Sequence, residues 1–190
     1  MKNKELLKDL KGYDRFGKDK EISKEISKEI GVSESVFTYG STPYETASAL
    51  IKSVNKKPSR FVVVGTSIGW MNFYWNEIYP NIPSLGIDIH YGRIEFGNSL
   101  IKKHKLSNIE LKVDDLYKFS FKDTDLIWLS NCCFDTNENA KIVNDIIAKN
   151  PNVSIISYKP FDSSVRSKVT RHSLPVSWMP LQPFWVYDTK

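Results

Sequence analysis

The sequence predicts an α/β fold: a mostly parallel sheet with helices on both faces and a C-terminal antiparallel hairpin. Three observations predict it. From Arg60 onward, short apolar runs rich in β-branched residues alternate with helix-length segments, as in parallel sheets whose strands are buried on both faces and joined by crossover helices. The first run, Phe61 to Val64, ends on the small-residue turn Gly65-Thr66-Ser67-Ile68-Gly69, and the second ends in an acid, Asp88. The C-terminal stretch sets Pro175, Pro180 and Pro183 among Trp178, Phe184, Trp185 and Tyr187, which suits two short strands at a sheet edge.

Residues 1–30 read as helix. Ile22, Ile26 and Ile30 recur every four residues in EISKEISKEI, giving one apolar stripe among charges, and Gly31 follows as a stop. The short ISKE repeat is too brief for a coiled coil. A loop with Gly40 and Pro43 leads to a helix from about Tyr44 to Val54. Strand 61–64 feeds a helix near 69–78, and strand 84–89 feeds a helix near 91–104. A short strand at 109–113 precedes the turn at Asp114–Asp115. Strand 125–130 precedes the loop Asn131-Cys132-Cys133-Phe134-Asp135 and a helix near 137–149, and strand 153–158 closes the series.

With 190 residues, of which 41% are hydrophobic and 13% aromatic, the chain has material for one domain with a single core. No apolar run approaches membrane-spanning length, and MKNKELLKDL lacks an apolar signal core. The expected address is cytoplasmic or nuclear, with no membrane partner. The only cysteines, Cys132 and Cys133, are adjacent, and His90, His104 and His172 share no ligand spacing. Neither a disulfide framework nor a metal site is expected. A net charge of +5 leans toward acidic partners without identifying one. In residues 2–30, nine Lys/Arg are matched by seven Asp/Glu, which describes a solvated helix surface better than a nucleic-acid arm. A more one-sided patch at Lys159, Arg166, Lys168 and Arg171 is the small support for direct nucleic-acid contact.

The turn and the acid carry the chemistry. A dinucleotide site needs three glycines in Gly-x-Gly-x-x-Gly spacing, and a phosphate loop needs Gly-Lys-Ser/Thr. Only Gly65 and Gly69 are present here. Two glycines four apart after a first strand fit an adenosyl cofactor better, with Ser67 in the turn between them. Asp88 then falls where a ribose hydroxyl would be bound. Asp115, after the third strand, could bind an adenine amine, although Asp114–Asp115 also suits a plain turn. The loop after the fourth strand lies across the switch point. Asn131 there offers an amide oxygen to an amine, and Phe134 an aromatic wall that would favour a sulfonium. The alternative for Asn131 is a cap on the following helix, and for Phe134 it is core packing.

Six segments resemble, in order, the non-SET histone-lysine methyltransferases of the disruptor-of-telomeric-silencing type, within the Rossmann-like class I adenosylmethionine-dependent methyltransferases. TYGSTPYE (38–45) is similar to the family's cofactor-lid loop, FVVVGTSIG (61–69) to its glycine turn and LGIDI (85–89) to its ribose-acid strand. LIWLSNCCF (126–134) is similar to its Asn-Asn-Phe-type loop, SYKPF (157–161) to the next strand, and VSWMPLQPFWVYD (176–188) to its closing hairpin. The resemblance spans roughly 36–190, making residues 1–35 an N-terminal helical segment and 36–190 the methyltransferase domain.

It implies S-adenosylmethionine as cofactor, with Tyr39, Thr42, Gly65, Ser67, Gly69, Asp88, Asp115 and Leu116 around it. It also implies catalytic places for Asn131, Phe134 and Trp178 and a protein-lysine substrate, histone or nucleosome, in chromatin. Val63, Ser67, Ser41, Ser130 and Leu116 depart from the family's residues at their positions. A class I methyltransferase acting on a small molecule, and a methyltransferase-like binding module without catalysis, are the alternatives.

Overall fold

The computed structural model describes residues 1–38, 40–54, 58–161 and 167–189. The elements, in chain order, are α1 (Lys4–Lys11), α2 (Lys18–Ile30), a 3-10 turn (Glu34–Phe37), α3 (Tyr44–Ser53), β1 (Phe61–Val64), α4 (Trp70–Ile78), β2 (Ser84–Asp88), α5 (Tyr91–Lys103), β3 (Ile109–Val113), β4 (Leu126–Leu129), α6 (Thr136–Lys149), β5 (Ser154–Ser157), β6 (Ser167–Val176) and β7 (Met179–Thr189). The sheet order is β3-β2-β1-β4-β5-β7-β6. β1 to β5 run parallel, whereas β7 pairs antiparallel with both β5 and β6. The chain therefore winds outward from β1 through β2 to β3, then crosses back to β4. That reversal is the switch point, and its crevice opens at the carboxyl ends of the strands.

Alternation within each strand divides the core between the two faces. Phe61 and Val63 pack with Trp128, Ile156 and Phe184 under α1, α3, α4 and α5. Val62 and Val64 pack with Ile127, Leu129 and Ile155 under α6. Every residue of β1 and β4 is buried, as expected of central parallel strands. On the α6 face, the turn after β3 contributes Leu116, Phe119 and Phe121 to the apolar layer, filling the place of a crossover helix.

Three expectations are corrected. The N-terminal segment is two helices, because Gly12 caps α1 and Asp14 Oδ1 accepts from the amides of Phe16 (3.0 Å) and Gly17 (3.1 Å), turning the chain before α2. Both helices dock: Leu6 and Leu10 join the main core, while Ile22 and Ile26 pack with Phe37. The terminal strands are not short, spanning 10 and 11 residues. Finally, α6 begins with a capping box, Asp135 accepting from Glu138 N (2.8 Å) and Glu138 Oε2 from Asp135 N (3.1 Å). Asn131 is therefore not its cap.

Candidate functional site at the carboxyl rim

The turn after β1 folds over the end of β2. The amides of Gly65 and Thr66 both donate to Ile87 O, at 2.9 and 3.1 Å. Thr66 Oγ1 then donates to Asn72 Oδ1 (2.6 Å), tying the turn to the first turn of α4. Gly65, Ser67 and Gly69 all have left-handed backbones, at φ 69°, 54° and 93°. Gly69 caps α4, and a Cβ there would meet Leu111 at 2.9 Å, so only glycine fits. Ser67, where the resembled family has glycine, adopts the same region at a cost of roughly 1–2 kcal/mol. Its amide is held by Asp88 Oδ2 at 2.8 Å, which offsets that cost.

Asp88 Oδ1 accepts from His90 N at 2.9 Å. Each carboxylate oxygen thus spends one lone pair on a backbone amide and keeps another. The acid is half-buried and Gly65 is exposed, so the β1–β2 rim is open to solvent. Ser67 Oγ is buried with no partner among the described residues. An exposed glycine, a fixed acid and an unsatisfied hydroxyl suit a ligand bearing hydroxyl groups, such as a ribose.

After β3, Asp115 behaves as a turn residue. Its Oδ1 accepts from Tyr117 N (3.0 Å) and its Oδ2 lies 3.5 Å from Lys118 Nζ. Leu116 packs into the α6-side layer, bordering a hollow of about 300 Å3 with Tyr117, Phe121, Lys141 and Ile142.

Asn131 departs from its expected role. It is fully buried. Its Oδ1 accepts from Tyr158 N (2.9 Å) and Lys159 N (3.1 Å), and its Nδ2 donates to Asn139 Oδ1 (2.9 Å) and Lys159 O (3.2 Å). All four hydrogen-bonding positions of the amide are used inside the fold. Its oxygen has no lone pair for an incoming amine, and the side chain instead joins the ends of β4 and β5 to α6. Phe134 is half-buried against the α6-side layer, and its carbonyl accepts from Lys159 Nζ at 2.8 Å. Between them, Cys132 and Cys133 are both exposed free thiols.

The loop that carries Gly40, Ser41 and Thr42 is stitched to the hairpin beyond β5. Thr42 Oγ1 lies 2.7 Å from the Tyr158 hydroxyl, both groups buried. Ser41 N donates to Ser177 Oγ and Ser177 N to Ser41 O, each at 3.0 Å. Gly40 lies under the Trp178 indole, which is 46% exposed and stands 5.9 Å from the Tyr158 ring. Tyr39 and Arg166 fall outside the described residues. Sequence reasoning missed the role of Ser177 and the Thr42–Tyr158 bond, since partners more than a hundred residues apart leave no local pattern.

The sheet order, with β7 reversed at the end of a parallel run, is a fold that solved methyltransferase structures share. No family model matches the chain, and no curated protein matches it. Solved structures do. An RNA methyltransferase from Salinibacter ruber, in complex with S-adenosyl-L-homocysteine, is similar at 14% identity and a TM-score of 0.59, with 77% of this chain and 90% of that chain covered. A SAM-dependent methyltransferase from Aquifex aeolicus aligns at 13% identity and 0.55, covering 75% and 88%. TrmN from Thermus thermophilus aligns at 14% and 0.61, covering 77% of this chain and 49% of its own. At these identities the likeness concerns the fold. Among the described residues, no helix is long and apolar enough to cross a membrane, and no group of His, Cys, Asp and Glu could hold a metal ion.

Proposed function

We propose that the chain binds S-adenosylmethionine at the β1–β2 rim and transfers its methyl group to a protein lysine amine, a histone lysine in the case the resemblance implies. The cofactor half rests on one observation, the glycine turn and Asp88 locked together at the crevice by the Ser67–Asp88 bond. The ribose would take the free lone pairs of Asp88, and Gly65 would let the backbone approach. The acceptor half draws on the meeting of three segments that carry the family resemblance. Residues 40–42, 157–161 and 176–178 are far apart in sequence, yet Thr42 meets Tyr158 and Ser41 meets Ser177.

Methyl transfer to an amine is an in-line displacement, so the protein's main task is alignment. A lysine with an ordinary pKa of about 10.4 must lose its proton first, and a dry aromatic channel favours the neutral amine. On the described acceptor side the exposed aromatic face is that of Trp178, backed by the buried Tyr158 ring 5.9 Å away. With Asn131 committed to the fold, its amide is not free to orient the amine. That commitment is also what favours a second reading, a cofactor-binding module that performs no transfer.

Two measurements separate the readings. Titration with S-adenosylhomocysteine tests the cofactor, and no heat of binding sinks both. Incubation with labelled cofactor and histones, nucleosomes, RNA or a metabolite extract tests the acceptor. Label in protein supports lysine transfer, label elsewhere replaces it with another acceptor, and binding without label leaves the module.

A further inference from the structure

Beside Asp88 lies a buried network that joins the N-terminal helices to the rim. Arg93, on α5, donates from Nε to Asp19 Oδ1 (2.8 Å) and from Nη2 to Asp19 Oδ2 (3.0 Å), and Asp19 belongs to α2. The same Nη2 donates to Phe37 O at 2.6 Å, and Tyr13 OH donates to Asp19 Oδ1 at 2.5 Å. Asp19, Ser23, His90 and Arg93 are all buried. A forked guanidinium–carboxylate pair of this kind fixes orientation as well as distance. Burying it costs desolvation that a plain apolar contact would not, so geometry is what it gains.

His90 is the link to the acid. Its amide donates to Asp88 Oδ1 at 2.9 Å, while its Nδ1 accepts from Arg93 N at 3.3 Å as the cap of α5. A neutral ring that accepts at Nδ1 carries its hydrogen on Nε2. Nε2 faces Ser23 Oγ at 3.1 Å, and Ser23 Oγ itself donates to Asp19 O at 2.9 Å. The bonds therefore run from Asp88 through His90 to Ser23 on α2, with the Asp19–Arg93 pair clamping the same helix.

We infer that Ser23, Asp19, His90 and Arg93 are positioning residues for Asp88, so that docking of α2 and occupancy of the rim by cofactor are coupled. The coupling rests on the methyltransferase reading. It adds that α2 supports the cofactor site from behind, through the side chains of Asp19 and Ser23. Coupling of this sort is reciprocal: cofactor steadies α2 by as much as docked α2 favours cofactor.

Calorimetry with S-adenosylhomocysteine and hydrogen exchange, both on the full chain, test it. Ser23→Ala should weaken binding by about fivefold or more, and Ser23→Thr, which restores the hydroxyl, should recover most of it. Saturating S-adenosylhomocysteine should slow exchange of the α2 amides in the wild-type chain. A purely structural Ser23 would lower the unfolding midpoint and leave affinity unmoved. Unmoved affinity in Ser23→Ala, with α2 exchange indifferent to ligand, overturns the coupling while the cofactor reading stands. Absence of binding in the wild-type chain overturns both.

Discussion

Ser67 donates its backbone amide to Asp88 Oδ2 at 2.8 Å, across 21 positions of sequence. One bond thereby fixes both the left-handed turn and the acid that the turn faces. Asp88→Asn would set an amide NH2 against the Ser67 or His90 amide, donor against donor. Loss of a charge-assisted bond of this type costs about 1.5–3 kcal/mol. The expected outcome is a lower unfolding midpoint together with S-adenosylhomocysteine affinity reduced by an order of magnitude or so. Thermal unfolding and calorimetry on the same variant measure both, and unchanged affinity would remove Asp88 from the cofactor site.

Asn131→Ala would strip four hydrogen bonds from the junction of β4, β5 and α6 and leave the buried Tyr158 amide unpaired. Orphaned buried groups cost about 1–3 kcal/mol each, so a loss of roughly 2–4 kcal/mol is expected. Urea unfolding should show the midpoint falling at constant slope. A variant as stable as the wild type, but inactive, would restore Asn131 to the chemistry.

The strands were legible because their burial is total. FVVV and LIWL are continuous apolar runs, and their observed bounds fall within a residue of those expected. The strand-end acid Asp88 was legible for a related reason, since a charge that ends such a run stands out. The break between α1 and α2 was not, because the four-residue apolar repeat covers only Ile22 to Ile30 and Asp14 acts through its own turn. The length of β6 was hidden by its place at the sheet edge, where Lys168, Val169, Thr170 and Arg171 are all exposed and partial burial alternates only from His172 onward. The structural bonding of Asn131 leaves no local trace in the sequence. Its partners Tyr158 and Lys159 lie 27 and 28 positions away.

Stability should fall as pH drops through the imidazole range. Burial, and then the Arg93 charge, hold His90 below the ordinary imidazole value against the pull of Asp19 and Asp88. The unfolded chain takes up a proton near pH 6.5 that the folded chain refuses, so His90's contribution is present above that pH and lost below it. Asp19 acts lower. Burial raises it, but bonds from Arg93 and Tyr13 prevail and hold it below the usual carboxylate value, so its share is lost only as pH falls beneath about 4. From pH 7 to 5, His90→Gln should flatten the stability profile by up to about 1.4 kcal/mol per pH unit. The other two histidines are common to both chains and cancel in the difference. Parallel profiles would mean that His90 ionises freely in the folded state.

The docking of the 40–42 loop can be loosened at Gly40. A Cβ at Gly40 would stand 2.5 Å from two ring carbons of Trp178, closer than any side chain tolerates, and the indole is also packed toward Tyr158. Gly40→Ala must therefore either lift Trp178 or shift the loop that carries Ser41 and Thr42. Overpacking of this kind costs about 1–3 kcal/mol. Because Trp178 is already 46% exposed, lifting the ring is the cheaper response. Its fluorescence, isolated by subtracting a Trp178→Phe chain, should shift to longer wavelength. S-adenosylhomocysteine affinity should fall together with transfer, since Thr42 on that loop is one of the residues the family resemblance puts around the cofactor. Unchanged affinity with reduced transfer would place the loop over the acceptor instead of the cofactor and would take Thr42 out of the cofactor site.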